Sequence, residues 1–157
     1  MTTARFFYRD PDAPTPNRPP SLGVLALIER DQALLLERRS DCGRWGLIGG
    51  AVDPHESLTD ALCREVREET GLTVTGYRLF GTFSDPTRIA AYPDGNVMRV
   101  IGIAYTVEVA DFNDLRISDE SLDLRLFTRD ELSSVDLVET ARPIIDAYLT
   151  QQPIILA

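Results

Sequence analysis

The sequence predicts an α/β or α+β fold in which helices cover a mixed β-sheet. Runs of aliphatic and β-branched residues are interleaved along the chain with amphipathic helical segments, a pattern typical of layered folds. The length of 157 residues corresponds to about one domain. Hydrophobic residues make up 43% of the chain and charged residues 26%, which is ordinary for a protein that buries its own core.

The N-terminal part of the chain differs in composition from the rest. Residues 5–8 are suited to a short strand, whereas residues 10–20 contain five prolines and predict an extended arm, because proline is excluded from helix interiors. We therefore divide the chain into an N-terminal strand and arm over residues 1–21, a main domain over residues 22–150 and a C-terminal tail over residues 151–157.

The main domain begins with a predicted hairpin, formed by residues 22–29 and 32–38 around a charged turn. Residues 43–50 predict a glycine-rich loop around Trp45. Three further strands are expected near residues 73–83, 96–109 and 122–127, with a Pro-Asp-Gly turn inside residues 92–96. Helices are expected over residues 57–70, briefly after a capping box at residues 128–131, and over residues 140–149.

Charge and segment composition argue against several functions. Sixteen basic against 25 acidic residues give a formal net charge of −9, so the chain has no cationic excess with which to bind a nucleic-acid polymer. An anionic substrate would need a local basic pocket or a bridging metal ion. We see neither a signal peptide nor an apolar run long enough for a bilayer, and we expect a cytoplasmic protein without membrane contacts. The two cysteines, Cys42 and Cys63, do not form a zinc signature.

The helix predicted over residues 57–70 carries carboxylates in unfavourable places. Glu65 and Glu69 project into its apolar stripe as a like-charged i,i+4 pair, and Glu68 and Glu69 occupy the last turn, where the helix dipole favours cations. Carboxylates on successive turns offer the oxygen ligands that Mg²⁺ or Mn²⁺ requires. On the helix alone, a solvated acidic end paired with Arg64 and Arg67 remains the alternative.

The surrounding residues resemble the signature of a known family. Gly50 is followed after five residues by Glu56 and, after seven more, by Arg-Glu-Val-Arg-Glu-Glu-Thr-Gly-Leu over residues 64–72. This segment matches every fixed position of the Nudix box, and the chain is identified as a member of the Nudix hydrolases, possessing an α/β/α sandwich with a central mixed sheet. The resemblance implies hydrolysis of a pyrophosphate bond in a nucleoside diphosphate linked to a further group, with Mg²⁺ or Mn²⁺ as cofactor.

The resemblance also implies roles for individual residues. Glu65, Glu68 and Glu69 become metal-binding and water-activating carboxylates, with the Gly49 carbonyl and, more loosely, Glu120 as further ligands. Arg64 and Glu56 become a pair that supports the loop and the helix, and Gly50 permits the tight loop beside the substrate. Two positions depart from the family pattern: Ile48 stands where proline is usual and His55 where glycine is frequent, which affects the expected loop geometry but removes no ligand.

The substrate is less well specified than the reaction. Pro86 lies 14 residues beyond Leu72, near the place of a proline in ADP-ribose pyrophosphatases, so ADP-ribose or a nucleotide sugar is the first expectation. Nucleoside triphosphates, dinucleoside polyphosphates and a non-catalytic nucleotide-binding domain remain alternatives. Three arginines are predicted to contact the substrate phosphates: Arg39, Arg44 and Arg88. The resemblance also allows a homodimer.

Overall fold

The structure is a computed structural model that describes residues 2–152. Eight strands are present in this part of the chain: β1 (Arg5–Phe7), β2 (Ser21–Arg30), β3 (Ala33–Arg39), β4 (Trp45–Ala51), β5 (Val74–Phe83), β6 (Ile89–Ala91), β7 (Val97–Val109) and β8 (Ser121–Phe127). The helices are α1 (Leu58–Thr70), α2 (Arg129–Leu132) and α3 (Arg142–Thr150), and a 3₁₀ turn over Glu139–Ala141 precedes α3. Most of the predicted C-terminal tail, residues 153–157, lies outside the described residues.

The strands form one mixed sheet with the order β1-β6-β7-β2-β4-β3-β8, and β5 pairs with the second half of β7. The β2–β7 pair is parallel and the other pairs of strands are antiparallel. The predicted fold class is therefore confirmed. Within residues 2–152, no helix is long and apolar enough to cross a membrane.

Both faces of the sheet are buried at its central strands, which explains the long apolar runs in β2 and β3. Alternate residues of β2 face opposite cores: Ala26 and Ile28 pack with α1, whereas Leu27 packs with α2 and α3. The α1 side of the core includes Leu62 and Val66, while the other side is filled by residues such as Phe127, Leu132, Ile144 and Ile145. This arrangement is the expected helix–sheet–helix sandwich.

Two sequence-based expectations for the sheet are wrong. Residues 43–50 were expected to form a loop, but Trp45–Ala51 is strand β4, whose Leu47 and Ile48 are buried on opposite faces of the sheet. The glycines around these two residues disguised a buried strand. The expected hairpin exists only at its turn, where Glu29 pairs with Leu34, because β4 lies between β2 and β3 over the rest of their length.

The N-terminal strand joins the edge of the main sheet. β1 pairs with β6, a short strand that the sequence analysis missed, and Phe6 lies opposite Ala90. The proline-rich arm then returns along β7, where the Asn17 side chain donates to the Gly95 carbonyl and accepts from the Val97 N–H. The division of the chain at residue 21 stays a prediction.

Candidate active site

Helix α1 places its carboxylates as its sequence predicts. The helix begins after Ser57, which forms a capping box with Asp60, and ends at Gly71, whose φ of 77° lies in the left-handed region that glycine tolerates. Glu69 is only 6% exposed, so it lies inside the apolar stripe despite its charge. Glu65 is half-buried and Glu68 is exposed.

Several of the predicted residues line one cavity of about 420 Å³. Helix α1 contributes Glu65 and Glu69, strand β4 contributes Gly49 and Gly50, and the loop before β8 contributes Glu120. The remaining wall comes mainly from β3 and the loop after it, which supply Glu37, Arg39, Ser40 and Asp41. Glu68 lies outside this cavity and lines a smaller acidic one that also contains Glu69 and Glu120.

Arg64 connects the loop after β4 to helix α1. Its guanidinium binds both carboxylate oxygens of Glu56, with 2.9 Å between Nη2 and Oε2, and donates to the Ala51 carbonyl oxygen at 3.1 Å. This contact lowers the pKa of Glu56 to about 2, because the hydrogen-bonded carboxylate is favoured over the protonated acid. The same guanidinium donates from Nη1 to Glu65 at 2.8 Å and to Glu68 at 3.1 Å. The predicted pairing of Arg64 with Glu56 is thus present in the structure.

The two glycines of β4 leave room for two carboxylates of α1. The Gly49 N–H donates to Glu69 Oε2 at 2.8 Å. A Cβ atom at Gly50 would lie 2.5 Å from Cδ of Glu65, closer than any side chain tolerates. A Cβ atom at Gly49 would overlap the Val24 carbonyl oxygen. A side chain at Gly49 would therefore clash with the backbone of β2, whereas one at Gly50 would displace the Glu65 carboxylate.

Burial and mutual repulsion make these carboxylates reluctant to ionise. Burial, together with the nearby Glu37, raises the pKa of Glu69 to about 9. The hydrogen bond from the Gly49 N–H opposes this shift. Burial likewise raises the pKa of Glu65, although Arg64 opposes the shift. Perturbed carboxyl groups of this kind, gathered in a cavity, are typical of functional sites.

Glu37 is a member of this group that the sequence analysis missed. It lies in β3, is 3% exposed, and accepts a hydrogen bond of 2.6 Å from the Ser121 hydroxyl. Burial raises its pKa, as it does for Glu69. A single acid directly after the buried run Leu34–Leu36 was the available signal, since an acid in a buried strand needs a partner.

Of the three predicted phosphate-binding arginines, only Arg39 reaches the cavity of carboxylates. It is held by Asp41, which accepts from Nε at 2.9 Å and from Nη2 at 2.6 Å, while Nη1 lies 3.9 Å from Glu37. Arg44 instead lines a separate cleft near the N-terminus and is paired with Asp136 and Glu139. The structure therefore does not bring Arg44 to the site.

Arg88, the third of these arginines, is buried and bonded to backbone carbonyl oxygens. It is 4% exposed, and its guanidinium donates to the carbonyl oxygens of Phe83, Val100 and Thr140 at 2.6 to 3.2 Å. No carboxylate of residues 2–152 forms an ion pair with it, and burial lowers its pKa to about 10. Arg88 thus ties β5, β7 and the 3₁₀ turn together; it lines the cleft next to the carboxylate cavity, and its contact with substrate phosphates stays a prediction.

Replacement of Arg88 by glutamine should destabilise the fold. The shorter side chain would leave buried carbonyl oxygens without donors, so we expect the free energy of unfolding to fall by about 2–4 kcal/mol. Urea denaturation measures this change, with the exposed Arg78→Gln as a matched control. A loss no larger than that of the control would contradict the structural role.

The donor set of the cavity suits a hard divalent cation. Glu37, Glu65, Glu69 and Glu120 present only oxygen atoms, as Mg²⁺ and Mn²⁺ prefer. Glu69 has no ion pair with any residue of the described chain, so its buried oxygens lack a cationic partner. In the structure no three acidic, histidine or cysteine side chains of residues 2–152 are grouped closely enough to share one ion, and Arg64 donates to Glu65 and Glu68. The residues fit the cation in donor chemistry and in burial, but as placed in the structure they do not surround a common point.

Known proteins share the sequence pattern and the fold of this chain. The sequence profile of the NUDIX domain family matches residues 17–148. The nucleoside triphosphatase NudI of Enterobacter sp. (strain 638) is 32% identical over 127 residues, covering 76% of this chain and 89% of that protein. NudI of Escherichia coli O17:K52:H18 is 35% identical over 122 residues, which cover 73% and 86% of the two chains.

A solved structure shows the same fold. The MutT protein from Methanosarcina mazei Go1 superposes with a TM-score of 0.69 at 25% sequence identity, covering 88% of this chain and 98% of that one. The sequence signature, the sandwich fold and these matches lead to one conclusion: the chain belongs to the Nudix hydrolase family and is a pyrophosphohydrolase.

Proposed function

We propose that this enzyme hydrolyses nucleoside triphosphates with Mg²⁺ or Mn²⁺ as its cofactor. The observation that carries the proposal is the cavity of buried carboxylates with Arg39 in its wall, since cations are needed to bring a polyphosphate to so acidic a surface. The relatives NudI are named nucleoside triphosphatases, which favours a triphosphate over the ADP-ribose expected from Pro86.

In this proposal the carboxylates of α1 hold the cation together with residues of β4 and of the loop before β8. The ligands would be Glu65, Glu69, the Gly49 carbonyl and Glu120 of the carboxylate cavity, joined by Glu68 from the adjoining acidic cavity that also contains Glu69 and Glu120. A divalent cation held there would neutralise phosphate oxygens and would lower the pKa of a water molecule for attack on phosphorus. The water adds across a P–O–P bond, and the two products are a shorter nucleotide and phosphate or pyrophosphate.

The protein's own residues position the reacting groups. Arg64 and Glu56 fix the loop after β4 against α1, so that Gly50 stays beside Glu65. Arg39 uses Nε and Nη2 for Asp41, which leaves Nη1 to donate to a phosphate oxygen. Arg64 donates to Glu65 at 2.8 Å and so helps to hold that carboxylate at the cavity.

The test is hydrolysis of a panel of nucleotides by the purified protein with Mg²⁺, with Mn²⁺ and with a chelator. The panel contains ribo- and deoxynucleoside triphosphates, ADP-ribose and a dinucleoside polyphosphate, and the readout is release of phosphate, pyrophosphate or mononucleotide. We expect metal-dependent turnover of triphosphates with the highest kcat/KM. Faster turnover of ADP-ribose would contradict the proposed triphosphate substrate and support ADP-ribose, the substrate first expected from the sequence. Turnover undiminished by the chelator would contradict the role of the cation.

A homodimer and a cytoplasmic location stay predictions.

A further inference from the structure

A second cleft adjoins the cavity of carboxylates. It has a volume of about 170 Å³ and shares Arg39, Gly49, Gly50, Ala51 and Tyr92 with that cavity. Its other lining residues are mostly apolar and come from β1, β2, β4 and β7, and the buried Arg88 and Thr140 complete the wall. The two clefts therefore form a continuous surface with an acidic end and an apolar end.

The apolar end has an aromatic wall, and at its floor the side chains of Leu25 and Arg88 lie over Gly102. Phe6 and Tyr92 pack edge to face, with 6.4 Å between the ring centroids and 86° between the ring planes. Gly23 of β2 and Gly102 of β7 are paired neighbours in the sheet and both line the cleft. Flat aromatic groups favour such surroundings, since they bury large areas against apolar atoms and other rings.

Phe6 reaches this cleft from a part of the chain that the family model does not match. The match begins at residue 17, whereas β1 comprises Arg5–Phe7. Pairing of β1 with β6 points Phe6 inward, where it is 8% exposed. The Arg39 guanidinium lies over its ring, 4.9 Å from the centroid. Phe6 thus touches the one arginine that lines both clefts.

We propose that Phe6 is a specificity-determining residue of this enzyme. Together with Tyr92 it forms a wall that contacts the nucleobase while the phosphates lie in the carboxylate cavity, so that the N-terminal strand confers selectivity for nucleotides over polyphosphate without a base. This inference rests on the proposed function, because it assigns the base of the same substrate to a place in the cleft.

The experiment compares a ligand that has a base with one that lacks it. In the Phe6→Leu variant, which keeps an apolar side chain but removes the ring, we expect the KM for a nucleoside triphosphate to rise about 10-fold. The inhibition constant of inorganic tripolyphosphate should stay unchanged. Calorimetric binding of an α,β-methylene nucleoside triphosphate with Mg²⁺ should weaken by the same factor as the KM rises. The control is Phe112→Leu, since Phe112 also lies beneath an arginine but lines neither cleft.

Two results would overturn the assignment of Phe6. Equal weakening of nucleotide and tripolyphosphate would mean that the ring acts on phosphate through Arg39 alone. Unchanged values for both ligands, with a loss of thermal stability, would mean that Phe6 only packs the core. If Phe6→Leu does not fold, Tyr92→Leu on the opposite side of the wall should show the same selective loss, and its failure to do so would count equally against the proposal. Absence of turnover in the wild-type protein would contradict the proposed function, while the binding measurement would still test the wall.

Discussion

Replacement of Glu69 by glutamine is expected to lower kcat/KM for the nucleotide substrate at least about 100-fold, equivalent to roughly 2.7 kcal/mol of transition-state stabilisation. Glutamine has the same length, and its carbonyl oxygen can accept the hydrogen bond that Gly49 donates to Glu69. The substitution therefore removes the charge that would hold a cation and little else. Nucleotide hydrolysis under saturating Mg²⁺ measures the loss, and Glu108→Gln on the exposed part of β7 is the matched control.

The same variant should be no less stable than the wild type when a chelator removes divalent cations. The folded protein keeps a proton on Glu69 up to a pKa of about 9, whereas an unfolded carboxyl releases it near 4.5. The free energy of unfolding of the wild type therefore falls as pH rises through this interval. Glutamine does not titrate, so the variant does not lose this free energy. We expect the stability advantage of Glu69→Gln to grow between pH 5 and pH 8 in urea denaturation. Wild-type turnover by the variant, or an advantage that shrinks with pH, would contradict the assignment of Glu69.

The sequence predicts the carboxylates on α1 well because a helix fixes their geometry locally. Ser57 and Gly71 determine where the helix begins and ends, and the helical period then places Glu65 and Glu69 on the buried side. The pairing of Arg64 with Glu56 follows the same logic, since both lie within the box. These features require no knowledge of how distant strands pair.

Features that depend on the pairing of distant strands are the ones that the sequence did not predict. Glu37 belongs to the site only because β3 lies beside β8, where Ser121 donates to it. In the sequence, Arg88 resembles a solvent-exposed arginine that could bind phosphate. Its hydrogen bonds go to carbonyl oxygens of β5, β7 and the 3₁₀ turn, which come together only in the folded chain. Insertion of β4 between β2 and β3 also could not be inferred from periodicity, because its glycines obscure the strand pattern.

Replacement of Gly50 by alanine is expected to reduce hydrolysis about 100-fold with little loss of fold stability. A Cβ atom at this position would lie 2.7 Å from Glu65 Oε2, so the carboxylate must move away. The end of a glutamate side chain moves at little energetic cost, but its oxygens then no longer occupy the place from which they would bind a cation. We therefore also expect Mg²⁺ to raise the melting temperature of the variant less than that of the wild type.

Two other glycine substitutions separate displacement of Glu65 from general effects of the added methyl group. In Gly76→Ala the new Cβ atom would lie 2.8 Å from the exposed Glu108 Oε2, so another glutamate is displaced without consequence for the site, and activity should be retained. In Gly49→Ala the Cβ atom would overlap a backbone carbonyl of β2, which cannot move alone, and we expect a loss of about 3 kcal/mol in the free energy of unfolding. Full activity in Gly50→Ala would show that Glu65 need not lie against β4, and the cavity would then require a different set of ligands.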